Sequence, residues 1–223
     1  LDGGGNLVPT ATNAISIGLG ANPGASTLSG TTSVNAVGGV ATFSTLSLNR
    51  TGTGYTLTAS SGGLTGATST AFTVTPGAAN RLAYVVQPTT ATAGATISPA
   101  PQVEIQDVDG NRVTGSTAAV TLALGANPGG STLGGTATVN AVAGLATFST
   151  LSLNRTGTGY TLAATSGALT GATSAAFNIN PGVATALAIT TAPTTGQSGV
   201  ALAPQPVIRL VDANGNTVPT TGT

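Results

Sequence analysis

The amino-acid sequence predicts an all-β chain of tandem β-sandwich domains, with about seven strands in each 105-residue repeat. Three observations predict it. The chain repeats itself without gaps at a period of 105 residues. Within the repeat, short runs alternate apolar and polar residues, which is the period of a strand. Turn residues end those runs every ~8–12 residues, and no run holds the 3.6-residue apolar period over helix length.

The repeat is read directly. GANPG begins at Gly20 and again at Gly125. The same offset links Phe43 to Phe148, Tyr55 to Tyr160, Phe72 to Phe177, Leu82 to Leu187 and Asp107 to Asp212. Residues 36–57 and 141–162 differ at 2 of 22 positions, Gly38/Ala143 and Val40/Leu145. LDGGGNLVPT at 1–10 is in phase with QDVDGNRVTG at 106–115 and VDANGNTVPT at 211–220. Three segments follow: 1–76 is a partial repeat lacking its first strands, 77–181 is complete, and 182–223 holds first strands only. Pro76-Gly77 and Pro181-Gly182 are the expected joints, too short to leave neighbours independent. The chain reads as a window of a longer array, with any targeting segment outside it. A rival reading makes it a subunit: residues 182–223 of one copy and 14–76 of the next would complete a repeat by strand donation.

Within 77–181 the elements come in order. RLAYVV (81–86) alternates as a first strand, and QPTTATAGATISPAP is a Pro- and Gly-punctuated crossing. QVEIQD (102–107) puts Val103 and Ile105 on one face, and DGN (109–111) is a turn. AAVTLAL (118–124) points Val120, Leu122 and Leu124 inward, and GANPGGSTLGG is a loop. TATVNAV (136–142) and LATFSTLSL (145–153) form a hairpin about Ala143-Gly144. GYTLAAT (159–165) and SAAFNIN (174–180) close the unit.

Composition excludes much. Only 4% of residues are charged, five Arg and five acids, with no Lys, Cys, His, Met or Trp. Thiolate and imidazole nucleophiles, imidazole metal sites and disulfides are therefore out. Without Lys there is also no Lys–Asn cross-link. A net charge of +0 gives no basic footprint for nucleic acid. No apolar run approaches the ~18 residues of a membrane span. A mean hydropathy of +0.33 is unlike that of a disordered chain.

In L-S-L-N-R-T-G-T-G-Y-T-L, Tyr160 opens a strand two residues before Leu162; Tyr55 and Leu57 repeat the spacing. This resembles the tyrosine corner of immunoglobulin folds, so each sandwich is expected to be immunoglobulin-like. The run P-x-V-x-I-x-D-x-x-G-N-x-V, then V-T-L, G-x-A-T-F-x-x-L and G-x-Y-x-L-x-A, resembles bacterial immunoglobulin-like (Big or invasin-type) repeats. Such repeats build the stalks of secreted adhesins and surface fibres, and the resemblance covers the whole chain.

Asp107, Gly110 and Asn111 come closest to a site. D-V-D-G-N alternates oxygen ligands as calcium loops do, but only the Asp and the final Gly-Asn recur at 2–6 and 212–216. No Glu follows to supply a bidentate ligand, so the stretch reads as an Asx-type turn. Asn49-Arg50-Thr51 and Asn154-Arg155-Thr156 match a glycosylation sequon and read as chance matches in Thr-rich turns. Glu104 is a lone carboxylate. No catalytic residue, metal ligand or cofactor site is assigned, and the chain is read as not an enzyme.

The expected function is structural: a repeat unit of an extracellular or cell-surface bacterial fibre or adhesin stalk. The alternative is an adhesin module binding a glycan or a host-surface protein. The expected partner is self, as neighbouring repeats or head-to-tail copies, since near-zero charge and strand edges without Lys favour self-association. No nucleic acid and no membrane span are expected.

Overall fold

The structure is a computed structural model of the chain and describes residues 1–219. Thr220–Thr223, the end of the last partial repeat, lie outside the described residues. Every regular element is a β-strand, and the all-β sandwich class is what the chain adopts. The residues divide into two compact units, Leu1–Ala78 with Asp107–Asn111, and Ala79–Gln106 with the residues from Arg112 onward.

In the second unit, Arg81–Val86 pairs antiparallel with Gln102–Gln106, which pairs in turn with Leu145–Thr147. Ala119–Leu124 lies between Thr138–Asn140 and Leu162–Thr165, with Ala172–Thr173 beyond. Inward positions of these sheets and of the segments around them make one core, including Leu82, Ile97, Ile105, Leu122, Phe148 and Phe177, each no more than 4% exposed. The alternation that predicted the strands is the alternation that buries them.

Three strands of the sequence reading are interrupted where the chain changes partner. Tyr160 pairs with Phe177, whereas Leu162, two residues on, pairs with Leu124. The run at 145–153 likewise splits into Leu145–Thr147 and Ser152–Leu153, the second paired with Leu133–Gly134. The run at 174–180 keeps its strand only at Phe177–Asn180. The hairpin turns at Ala143-Gly144, with φ of 49° and 77°, flanked by a Val142–Leu145 bridge. That is a two-residue turn needing positive φ at both positions. In the earlier repeat Gly38 holds the same place at φ 60°.

The first unit carries the same ladders in part. Ala14–Leu19 pairs with Ser33–Asn35 and Leu57–Ser60, and Gly52–Tyr55 pairs with Phe72–Val74. Its fully buried apolar side chains are Ala36 and Tyr55. Phe72 is 37% exposed, where its counterpart Phe177 is 3%. Beyond the complete repeat, Ala186–Thr191 and Val207–Val211 form an antiparallel pair whose Leu187 is 69% exposed; its counterpart Leu82 is 4%.

Two predictions follow from these contrasts. Ala143→Gly removes a left-handed strain of about 1 kcal/mol, so it should raise the denaturation midpoint, whereas Gly38→Ala should lower it. Leu82→Ala should cost about 2–5 kcal/mol, and Leu187→Ala, in the dilute chain, less than about 0.5 kcal/mol; urea unfolding of the two variants separates them.

Candidate functional site

The two turn motifs that the sequence shows separately meet in space. Asp107 starts a tight turn. Its Oδ1 accepts the N–H of Asp109 at 3.0 Å and of Asn111 at 2.8 Å. The Asn111 amide donates to Oδ2 at 2.9 Å. Gly110 closes the turn at φ 84°, a conformation in which a side chain would be strained. The N–H of Gly77, at the Pro76-Gly77 joint, donates to the remaining side of Oδ2 at 2.9 Å.

Asn111 then grips the Asn49-Arg50-Thr51 turn through backbone groups. Its Nδ2 donates to the Asn49 carbonyl at 3.1 Å, and its Oδ1 accepts the Thr51 N–H at 3.2 Å. The gripped turn is itself fixed. The Tyr55 hydroxyl donates to the Arg50 carbonyl at 2.9 Å. The Asn49 side chain accepts from Thr27 N–H at 2.9 Å and from the Ser26 hydroxyl at 3.1 Å. Asp107 and Asn111 are 2% and 9% exposed, and the turn they grip is exposed at Asn49 and half-buried at Thr51.

The same clasp recurs one period later, within the second unit. Gly182 N–H meets Asp212 Oδ2 at 2.9 Å, and Asn216 N–H meets Oδ1 at 2.9 Å. Asn216 reaches the Asn154 carbonyl at 3.0 Å and the Thr156 N–H at 3.1 Å. The Tyr160 hydroxyl holds the Arg155 carbonyl at 2.9 Å. One contact is added: Asn214 donates to the Ala93 carbonyl at 3.1 Å. A third loop, Asp2–Asn6, makes the internal turn bonds (Gly4 N–H and Asn6 N–H to Oδ1, both 2.9 Å) while exposed and without a gripped turn. The turn is therefore a local property of D-x-x-G-N, and the grip is a second step.

Of the residues singled out from sequence, Asp107, Gly110, Asn111, Pro76 and Gly77 gather at the first clasp, and Pro181 and Gly182 at the second. Tyr55 and Tyr160 lie beneath the gripped turns. Leu57 and Leu162 lie apart from them; Leu162 is buried in the core and Leu57 is half-buried. Sequence reasoning missed the parts that shape the socket. Asn127 accepts the Ser131 N–H at 2.7 Å, and the Ser131 hydroxyl receives the N–H of Asn154 at 2.9 Å. A Cβ on Gly129 would strike the Tyr160 hydroxyl and the Thr156 carbonyl. The identical GANPG at Gly20 and Gly125 was the available signal.

The donors that surround the Asp carboxylates give the site its chemistry. Burial alone would raise the Asp212 carboxyl. Bonds from the Asn216 side chain and from the N–H groups of Gly182, Asn216 and Asn214 outweigh it and lower the pKa from 3.8 to about 2. Asp107 is lowered by its matching set against the same burial. With both oxygens filled by N–H donors, the carboxylate serves as the hub of a turn. Glu104, the lone acid, lies 3.6 Å from the Arg112 guanidinium and accepts from Gln106 at 3.2 Å.

No family model matches the chain, and no curated protein matches it. Among solved structures it is similar to a β-glycosidase from Bacteroides vulgatus, at 12% identity and a TM-score of 0.37, covering 73% of this chain and 21% of that one. A glycosyl hydrolase family 2 member from Bacteroides cellulosilyticus gives 15% identity and a TM-score of 0.39, covering 76% and 22%. Surface layer protein SbsC, domains 4–9, gives 17% identity and a TM-score of 0.32, covering 96% and 30%. The chain thus spans about a fifth of the glycosidase chains it matches. This corrects the expectation that the chain is not an enzyme, since several similar solved structures are glycosidases and glucuronidases. The side-chain inventory behind that expectation bears only on chemistry done by these 223 residues, not on the enzymes in which such a fold is one part. Likenesses this distant assign no activity.

The clasp yields a pH prediction. A carboxylate with a folded pKa below its unfolded value contributes stability above the unfolded pKa and loses it as pH falls through the folded one. For Asp212 that window runs from 3.8 down to about 2. Amide exchange at Gly182 and Thr156 should accelerate across it, relative to core amides. Asp212→Asn should exchange faster already at pH 6 and lose the pH dependence.

Proposed function

We propose that the chain is a structural segment of an extracellular bacterial fibre or adhesin stalk, built from tandem immunoglobulin-like repeats of the Big or invasin type. The observation that carries this reading is the clasp. Each gripping loop follows its gripped turn by 60–62 residues, in both occurrences and with the same bonds. In sequence phase the Pro-Gly joint falls between turn and loop, so each repeat grips the one before it. A part-buried polar grip in both occurrences suits a stalk that resists bending. Among the described residues no helix is long and apolar enough to cross a membrane. The partner in this reading is the neighbouring repeat, and the place is the cell surface or outside it.

Electron microscopy of the native material tests the reading. Strands of 6–7 residues are about 20–24 Å long, so each repeat with its loops should advance the axis by about 35–45 Å. A uniform fibre or stalk with that spacing is the expected result. Compact particles with no axial repeat would overturn it.

A further inference from the structure

Asn214 is the one asparagine of the chain that a glycine follows. The pair has a chemistry of its own. A backbone nitrogen attacks the side-chain carbonyl carbon of the Asn before it, and the attacking residue's own side chain hinders the approach; Gly has none. Asn22, Asn127 and Asn180 precede Pro, whose nitrogen has no proton to give up. Asn214-Gly215 lies in the second clasp, and the clasp engages both reacting groups. The Gly215 N–H donates to the Asp212 carbonyl at 3.0 Å. The Asn214 side-chain amide donates to the Ala93 carbonyl at 3.1 Å, and the Asn214 N–H to Asp212 Oδ1 at 2.9 Å. Asn214 is half-buried, and Gly215, at φ 77°, is exposed.

The first clasp supplies a reference. Its residue in phase with Asn214 is Asp109, the acid that Asn214 becomes when it loses its amide. The turn there is the same: Asp109 N–H donates to Asp107 Oδ1 at 3.0 Å, and Gly110 N–H to the Asp107 carbonyl at 3.2 Å. A carboxylate at this place is therefore compatible with the turn. What an ionised carboxylate lacks is a donor for a carbonyl such as that of Ala93. A longer main chain is a different matter. The next two N–H groups, of Gly215 and Asn216, are both bonded to Asp212, at 3.0 Å and 2.9 Å. One extra backbone carbon before them moves both off their acceptors.

We propose that Asn214-Gly215 is a self-modification site, protected while the second clasp is closed and reactive once it opens. In the opened loop the Gly215 nitrogen gives up its proton and bonds to Asn214 Cγ. The Cγ–Nδ2 bond breaks, and Nδ2 leaves as ammonia with that proton. Water then opens the cyclic imide. Addition at Cγ restores the ordinary main chain, with Asp at 214. Addition at the main-chain carbonyl carbon leaves the chain running through Cγ, which is iso-Asp. Water is the sole co-reactant. The Asp product loses the bond to Ala93 and keeps the turn, as Asp109 does. The iso-Asp product carries the extra backbone carbon, so Asp212 loses the N–H groups of its turn and Asn216 no longer reaches Asn154 and Thr156. A passing opening of the clasp is thereby written into the covalent chain. The site is independent of the fibre reading, which its failure would leave standing.

The test uses the 223-residue chain, incubated at pH 8 and followed by peptide mass spectrometry that separates Asn, Asp and iso-Asp forms. Asn214 should be modified before any other asparagine. In Asp212→Asn, whose clasp should stand open, the reaction should run about tenfold faster than in the natural chain. Slow exchange of the Leu82 and Leu122 amides, bonded to the Thr170 and Ala137 carbonyls, shows that the variant is folded and that the gain belongs to the clasp. A second measurement needs no variant that weakens the clasp. The iso-Asp fraction of the natural chain should exchange quickly at the Gly182 and Thr156 amides, whereas its Asp fraction, and Asn214→Asp, should keep them slow. Equal rates in the natural and Asp212→Asn chains overturn the proposal. So does an iso-Asp fraction whose Thr156 amide stays protected, or an Asn214 that survives in the urea-unfolded chain.

Discussion

A carboxylate that accepts four N–H bonds organises each clasp of this chain. Asp107 and Asp212 each draw in the two N–H groups of their own turn, an Asn side chain, and the N–H of the Gly that opens the repeat. Only when that Asn is pinned does its amide face outward as a paired donor and acceptor. It then reads one carbonyl and one N–H of the facing turn, which is how a peptide group reads another in a sheet. Without the carboxylate the amide would rotate freely, and the entropy of ordering it would fall on the grip.

The neighbouring side chains serve the same end. Tyr55 and Tyr160 hold the carbonyl next to the one that is read, and Ser26 and Ser131 hold the Asn before it. Beyond the Asp carboxylates, this polar work uses no formal charge. It is carried by Ser, Asn, Thr and Tyr, and among the described residues no buried side-chain nitrogen or oxygen lacks a partner. A chain with 4% charged residues, no disulfide and few aromatics can stay ordered this way, because each buried side-chain nitrogen and oxygen of the described residues recovers a bond.

The fold was largely legible. The strands at 81–86, 102–106 and 119–124 follow directly from alternation, and the Ala143-Gly144 hairpin from its short spacing and the Gly38-Gly39 of its twin. The clasp was only half legible. D-x-x-G-N announced a turn, because its Asp and Gly act on their own backbone. Its target stayed hidden, because Asn111 grips main-chain atoms of Asn49 and Thr51, and a carbonyl or N–H leaves no mark on residue type. The sequon match at Asn49 drew the eye to the right turn for another reason. The break after Tyr160 was hidden as well, since alternation continues unbroken while the hydrogen-bond partner changes.

The loop at Asp2–Asn6 holds its turn bonds with nothing to grip. A clasp made from such a loop arrives with its loop already shaped. Closing it is then a matter of encounter, with little search among conformations and little ordering left to do on contact. A clasp opened while its Asp is ionised can close again as soon as turn and loop meet, because the loop has kept its form while apart.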